Sequence, residues 1–189
     1  MKILHLAFAG AVALASLTGN AFAQAKEYVT IQLKDGPVVI ELLPEFAPKH
    51  VARIKELTEA GEYNNVAFHR VIPGFMAQTG DVQYGNMEKD FKADMAGMGG
   101  SSKPDVEAEF SKVPFERGTV GMARSQDPNS ANSQFFIMFA PGSFLNGQYT
   151  VVGKVVEGME NVDKIKMGDE ANNGSVTNPD RMISVKVGK

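Results

Sequence analysis

The sequence predicts a mainly β fold, a closed eight-stranded antiparallel β-barrel capped by two α-helices. Three observations carry that prediction. Short runs of β-branched and aromatic residues recur along the chain, each bounded by Gly, Pro, Asn or Asp. Only two stretches read as helices, and the strands do not alternate with helices as a parallel sheet requires. Closure follows because an open sheet of eight strands leaves two unpaired edges.

The elements can be justified in order. Met1-Lys2, the apolar stretch Ile3 to Leu17 and the terminal Ala21-Phe22-Ala23 read as a cleaved secretory signal peptide over 1–23. The stretch is shorter than the ~20 apolar residues of a bilayer span, so cleavage is expected rather than an anchor, with no stable membrane insertion afterwards. Residues 24–189 then form one domain. Tyr28 to Lys34 alternates, with Val29, Ile31 and Leu33 on one face; Asp35-Gly36 is a turn and Val38 to Leu43 returns, a hairpin. Pro48 suits a first helical turn, Val51, Ile54 and Leu57 recur at helical spacing, and Gly61 is a stop. Further strands are predicted at Ala67–Ile72, Met76–Thr79, Thr119–Ala123, Gln134–Phe139, Val151–Val156 and Met182–Val187, with a second helix from Met159 to about Lys166. Gly85 to Pro104, rich in Met and Gly, has no clear period and reads as a mobile or functional loop. Asn173-Gly174-Ser175 matches a glycosylation acceptor, but Asn172-Asn173-Gly174 reads better as turn chemistry.

Composition excludes several classes of function. A net charge of −3 gives no basic surface for nucleic acid, and no Cys is present for disulfides, thiolate metal sites or thiol nucleophiles. After residue 23 only His50 and His69 remain as histidines, too few for a zinc site, so no metal is expected. His50 reads as a solvent-facing residue near a helix start, and His69 as structural rather than a general base. Glu107 and Glu109 would share a strand face, most simply as solvated carboxylates. No nucleophile elbow, phosphate loop or dinucleotide fingerprint is present. What stands out is Phe68-His69-Arg70-Val71-Ile72-Pro73-Gly74-Phe75-Met76-Ala77-Gln78-Thr79-Gly80-Asp81. It reads as a hairpin whose Pro-Gly turn places Arg70, Phe75, Met76 and Gln78 near one another; in the plainer alternative Phe75 and Met76 are core and Arg70 and Gln78 cover it.

That segment resembles the signature of cyclophilins, peptidyl-prolyl cis-trans isomerases built on an eight-stranded barrel with two capping helices. The later segments Gly118-Thr119-Val120-Gly121-Met122-Ala123, Asn132-Ser133-Gln134-Phe135-Phe136-Ile137, Phe144-Leu145-Asn146-Gly147 and Val152-Gly153-Lys154-Val155 are similar to the family's motifs in their usual order. The resemblance implies that Arg70 is catalytic, that Phe75, Met76, Phe136 and Leu145 wall a pocket for the substrate proline, and that Gln78 and Gln134 form its polar edge. It implies that Ala123 and Arg124 bind substrate backbone. The family usually has Asn at the second of these positions, so Arg124 adds a charge that bears on substrate preference. Phe144 stands where many members carry Trp, which implies weak cyclosporin binding, and Tyr149 stands where many carry His and closes the pocket. No cofactor is implied, and the expected partners are proline-containing polypeptides, folding exported proteins in a bacterial periplasm. A monomer is the default. Two other readings stay open: a proline-peptide binding module with incidental turnover, and a holdase-like chaperone using the Met87–Met98 loop.

Overall fold

The computed structural model describes residues 25–89 and 91–189, so the signal-peptide reading of 1–23 lies outside the described residues. Ten strands are described: β1 (Glu27–Leu33), β2 (Gly36–Leu42), β3 (Val66–Ala67), β4 (Arg70–Ile72), β5 (Met76–Thr79), β6 (Thr119–Met122), β7 (Phe135–Met138), β8 (Val151–Glu157), β9 (Arg181–Met182) and β10 (Ser184–Val187). Eight of them form one antiparallel sheet in the order β10-β1-β2-β8-β6-β7-β5-β4, and β3 pairs with β9.

The expected eight-stranded barrel is therefore present, but its closure is weaker than the sequence reading had it. No ladder joins β4 to β10 among the described residues; the two-residue β3–β9 ladder bridges the gap instead. The predicted strands Ala67–Ile72 and Met182–Val187 are each broken for this reason. Val66 and Ala67 pair with β9 whereas Arg70 to Ile72 pair with β5, and the chain must turn at Phe68-His69 to change partners. Ile183 breaks the other strand, its N–H donating to the Gln32 carbonyl at 2.8 Å.

Two helices flank the sheet, α1 (Pro48–Glu59) and the single turn α2 (Met159–Val162). The second is shorter than predicted, because Lys164 and Ile165 donate to carbonyls three residues back and tighten the chain. No described helix is long and apolar enough to cross a membrane. Helix α1 begins with Pro48, as expected, and buries Val51, Ile54 and Leu57. Its first free N–H groups are not capped locally. Glu109, distant in sequence, accepts from Lys49 N–H at 3.1 Å and His50 N–H at 3.0 Å.

This contact corrects two expectations. His50 is fully buried, with Nδ1 2.6 Å from Glu109 Oε2. Residues 107–110 form no strand; Glu107 is exposed and pairs with Lys49, while Glu109 turns inward as the remote cap. Burial lowers the His50 pKa against the pull of Glu109. Burial also works to raise that of Glu109, but the hydrogen bonds from His50 and Lys49 outweigh it and hold the carboxyl below its usual range. The pair is thus a neutral imidazole donating from Nδ1 to a carboxylate.

Two apolar clusters share the strands. The larger fills the barrel and includes Val29, Ile40, Tyr63, Val120, Phe135, Ile137 and Val152. The smaller, on the outer face, holds Met76, Phe115, Phe136, Met138, Leu145 and Val151. The period-two alternation of β7 explains the division: Phe135 and Ile137 point one way, Phe136 and Met138 the other.

Candidate active site

The site is a row of side chains across the outer face. Arg70 on β4 is register partner to Gln78 on β5, Gln78 to Phe136 on β7, and Phe136 to Gly121 on β6. Directly opposed residues project from the same face, so the ladder alone sets a guanidinium, an amide and an aromatic ring side by side. The β4–β5 hairpin fixes the near end of the row. Pro73 and Gly74 form its turn, Gly74 adopts φ +67° and Phe75 N–H returns to the Ile72 carbonyl at 3.1 Å, as a type II turn requires.

Gly121 leaves the space in which the aromatic floor is laid. A Cβ there would come within 2.6 Å of both Phe115 and Phe136, whose rings stack at 5.7 Å. Phe136 in turn meets Tyr149 edge-on at 5.9 Å, and Phe75 tilts against Phe144 at 5.5 Å. Met76, Phe136 and Leu145 are buried, whereas Phe144 is 69% exposed and forms the rim.

All the sequence-predicted site residues except Gln134 line one cavity of about 620 Å³, together with Gln148. Gln134 lies on an adjoining cavity of about 520 Å³, whose wall is shared through Gln78, Ala123 and Arg124.

Arg70 is held from two sides. Its Nε donates to the Asn173 carbonyl at 3.0 Å and Nη2 to Asn173 Oδ1 at 2.9 Å, while Nη1 donates to Gln78 Oε1 at 3.2 Å. The chain of amides continues. Gln78 Nε2 donates to Gln134 Oε1 at 2.9 Å, and Gln134 Nε2 donates to the carbonyls of Gly97 and Gly99 at 2.9 and 2.7 Å. Those glycines are fixed by Asp81, a fully buried carboxylate that accepts four main-chain N–H groups, from Gln83, Tyr84, Gly97 and Gly99. Part of the glycine-rich loop is therefore anchored, and it orients the polar edge of the site. Burial lowers the pKa of Arg70 from its ordinary value, but an arginine still carries its proton at physiological pH.

His69 lies behind Arg70. Burial pushes its imidazole down to about 4, so the ring is neutral; both ring nitrogens lack hydrogen-bond partners among the described residues, and the ring packs against Gly97. That geometry fits the structural reading. Asn173 and Gly174 both have positive φ, +54° and +79°, which supports the turn, and Asn173 Oδ1 is engaged by Arg70. Arg124 lies with its guanidinium carbon 4.4 Å from the Tyr149 ring centroid.

Sequence reasoning missed Asn173, the role of Asp81, and the two loop glycines. Asp81 was within the signature and Gly97-Met98-Gly99-Gly100 was visible as a biased stretch, but nothing in the local sequence ties Asn173 to an arginine 103 residues away.

Comparison with known proteins agrees with this geometry. Residues 28–187 match the family model described as cyclophilin type peptidyl-prolyl cis-trans isomerase/CLD. A probable peptidyl-prolyl cis-trans isomerase of Brucella suis biovar 1 is 65% identical over 177 residues, covering 94% of this chain and 90% of that one. A peptidyl-prolyl cis-trans isomerase of Acinetobacter baylyi is 34% identical over 186 residues, covering 94% of each. Among solved structures, a Cryptosporidium parvum cyclophilin type peptidyl-prolyl cis-trans isomerase, crystallised in the presence of the dipeptide Ala-Pro, is similar at a TM-score of 0.71 and 26% identity. That match covers 86% of this chain and 99% of the other. With the register row, the cavity and the matched residues in agreement, the chain belongs to the cyclophilin-type peptidyl-prolyl cis-trans isomerase family.

Proposed function

We propose that the protein catalyses cis–trans isomerisation of Xaa-Pro peptide bonds in proline-containing polypeptides, with Arg70 as the catalytic donor. The observation that carries the reading is the pinned Arg70 guanidinium facing Phe75, Met76, Phe136 and Leu145 across a cavity of about 620 Å³. Rotation about a peptide bond must break amide resonance over a barrier of ~18–20 kcal/mol, and no covalent bond is broken. At the twisted transition state the proline nitrogen regains its lone pair and accepts a hydrogen bond better than either planar isomer does. A guanidinium fixed beside it binds that state preferentially, and fixing it beforehand removes the cost of orienting it during the reaction. Phe75, Met76, Phe136 and Leu145 hold the proline ring while the preceding carbonyl side turns. They also keep water from the amide, which weakens the charge-separated resonance form. Proline is the substrate because its tertiary amide prefers trans by only about 0.5–1 kcal/mol, so both isomers are populated.

The clients are expected to be folding exported proteins in a bacterial periplasm. Support comes from the 1–23 pattern, and finding the mature N-terminus at residue 24 in a periplasmic fraction is the check. Phe144 offers no ring N–H, so weak cyclosporin binding is expected. A single species of one-chain mass by light scattering would match the expected monomer.

The central test is NMR exchange spectroscopy on a short Xaa-Pro peptide with the protein and with Arg70→Ala. Loss of a hydrogen bond to a charged group, about 1.5–3 kcal/mol, is expected to slow catalysed exchange by roughly 10- to 150-fold in a protein that stays folded. Peptide binding without faster exchange would replace this reading with the binding module.

A further inference from the structure

We infer that Arg124 selects substrates carrying a carboxylate side chain next to the prolyl bond. The inference rests on the isomerase reading and names the substrate class of that same site.

The chain has five arginines. Arg53, Arg117 and Arg181 pair with Glu56, Asp163 and Glu88. Among the described residues Arg70 and Arg124 have no carboxylate partner, and both line the cavity that would take the proline. Arg124 also borders the adjoining cavity. In a protein of net charge −3, the two uncompensated guanidinium groups are gathered at one groove. Among the described residues, one carboxylate residue lines the two cavities: Asp105, on the adjoining one, where it accepts from Asn132 Nδ2 at 2.9 Å. The groove as a whole is positive, and a field confined between low-dielectric walls acts on the ligand more strongly than on an open surface.

Arg124 is also fixed in place. Nη1 donates to the carbonyls of Ser125 at 2.8 Å and Gln126 at 3.3 Å, Nη2 donates to the carbonyl of Gln148 at 2.9 Å, and the Tyr149 ring lies against the guanidinium. Neutral carbonyls orient the fork without cancelling its charge. A side chain held this way loses little freedom when it meets a ligand, so its attraction is expressed in selectivity. A polypeptide seated in the first cavity and continuing into the second passes Arg124 at the wall they share. The residues flanking the prolyl bond are therefore the ones it reads. The charge repels a Lys there and attracts a Glu.

The test is a series of short prolyl peptides with Glu or Lys at each position flanking Xaa-Pro, compared by kcat/KM from NMR exchange at low salt. At one position the Glu peptide is expected to exceed the Lys peptide roughly fivefold, the size of effect that part-exposed ion pairs give. The ratio is expected to shrink toward one in about 1 M salt, where screening acts within about 3 Å. Arg124→Gln is expected to bring the ratio close to one, and Arg124→Lys to retain part of it. Because each ratio is taken on a single protein, a general loss of activity leaves it readable. Equal turnover of Glu and Lys peptides at every position by the unsubstituted protein overturns the inference, as does a ratio that survives Arg124→Gln. Should that variant not fold, a ratio insensitive to salt overturns it equally. If no peptide is isomerised, it is the isomerase reading that fails; the Glu-to-Lys ratio is then taken from NMR-titrated dissociation constants, where equality again overturns the selectivity.

Discussion

Strands β5, β6 and β7 bury side chains on both faces, and the two faces differ in composition. Toward the barrel interior stand Ala77, Val120, Met122, Phe135 and Ile137, all in one apolar cluster, and Thr79, whose hydroxyl donates to the Ala67 carbonyl at 2.8 Å. On the outer face Met76, Phe136 and Met138 are joined by Gln78 and by Gly121, where a side chain would strike two phenyl rings. The interior is enclosed by β1, β2, β8 and α1 and is filled mainly by apolar groups of suitable volume, its few hydroxyls (Thr79, Tyr63) donating to main-chain carbonyls. The outer face is left partly uncovered, so it can carry polar groups, and where these are half-buried they satisfy one another. The amide chain from Arg70 to the Gly97 and Gly99 carbonyls does this. A binding face thus differs from a core in containing groups whose partners are few and fixed.

The sharpest way to break that comparison is to truncate one residue on each face of β7. Ile137→Ala is expected to lower unfolding free energy by about 2–5 kcal/mol in a urea titration, while the protein that remains folded keeps its exchange rate. Phe136→Ala is expected to cost a similar amount, about 3–5 kcal/mol, and also to lower catalysed exchange, because the floor of the cavity goes with it. Equal losses of activity in the two would mean that the faces are not functionally distinct.

Acid sharpens the comparison at the margin between the faces. The His69 imidazole titrates at about 4 in the folded protein against ~6.5 unfolded, so between those values the unfolded chain binds a proton that the native one does not. Stability is expected to fall as pH drops from about 6.5 to about 4, by roughly 3 kcal/mol, and His69 to add no further loss below that. His50, also lowered by burial, acts in the same direction. Thermal melts across that range check this, and His69→Leu is expected to flatten most of the slope.

Smaller effects should follow on the outer face alone. Asn173→Ala removes one acceptor from Arg70 and is expected to lower kcat about tenfold with little change in KM, as a positioning residue should. A matched loss in KM would mean that Asn173 binds substrate instead. The least effect is expected for Phe144→Ala: with its side chain largely exposed, stability should stay within about 0.5 kcal/mol by thermal melt while peptide affinity weakens.

Much of this was legible in the sequence, and the reasons differ by region. The β4–β5 hairpin could be read because its turn residues and its alternation are adjacent, and the three residues Pro73 to Phe75 between the paired Ile72 and Met76 set the register of Arg70 against Gln78. The β1–β2 hairpin was read for the same reason, although Gly36 opens β2 rather than sitting in the turn. His50 was misread because its burial depends on Glu109, which arrives from a segment without secondary structure. The loop from Gly85 could not be resolved residue by residue, since Asp81 and Gln134 fix Gly97 and Gly99 only through the folded sheet.

By itself, the sequence determined most of the strands, the first helix, the antiparallel class and the family signature with its arginine and apolar wall. Those follow from alternation, turn chemistry and motif order, all properties of neighbours along the chain. Only the tertiary structure decided that Asn173 holds Arg70, that Glu109 caps α1, and that a short β3–β9 ladder lies where a continuous ladder between the edge strands would close the barrel. Such partners are chosen by which strands meet. Sequence separation carries no record of that choice, because a hydrogen bond depends on where its two groups lie in space and not on how many residues separate them.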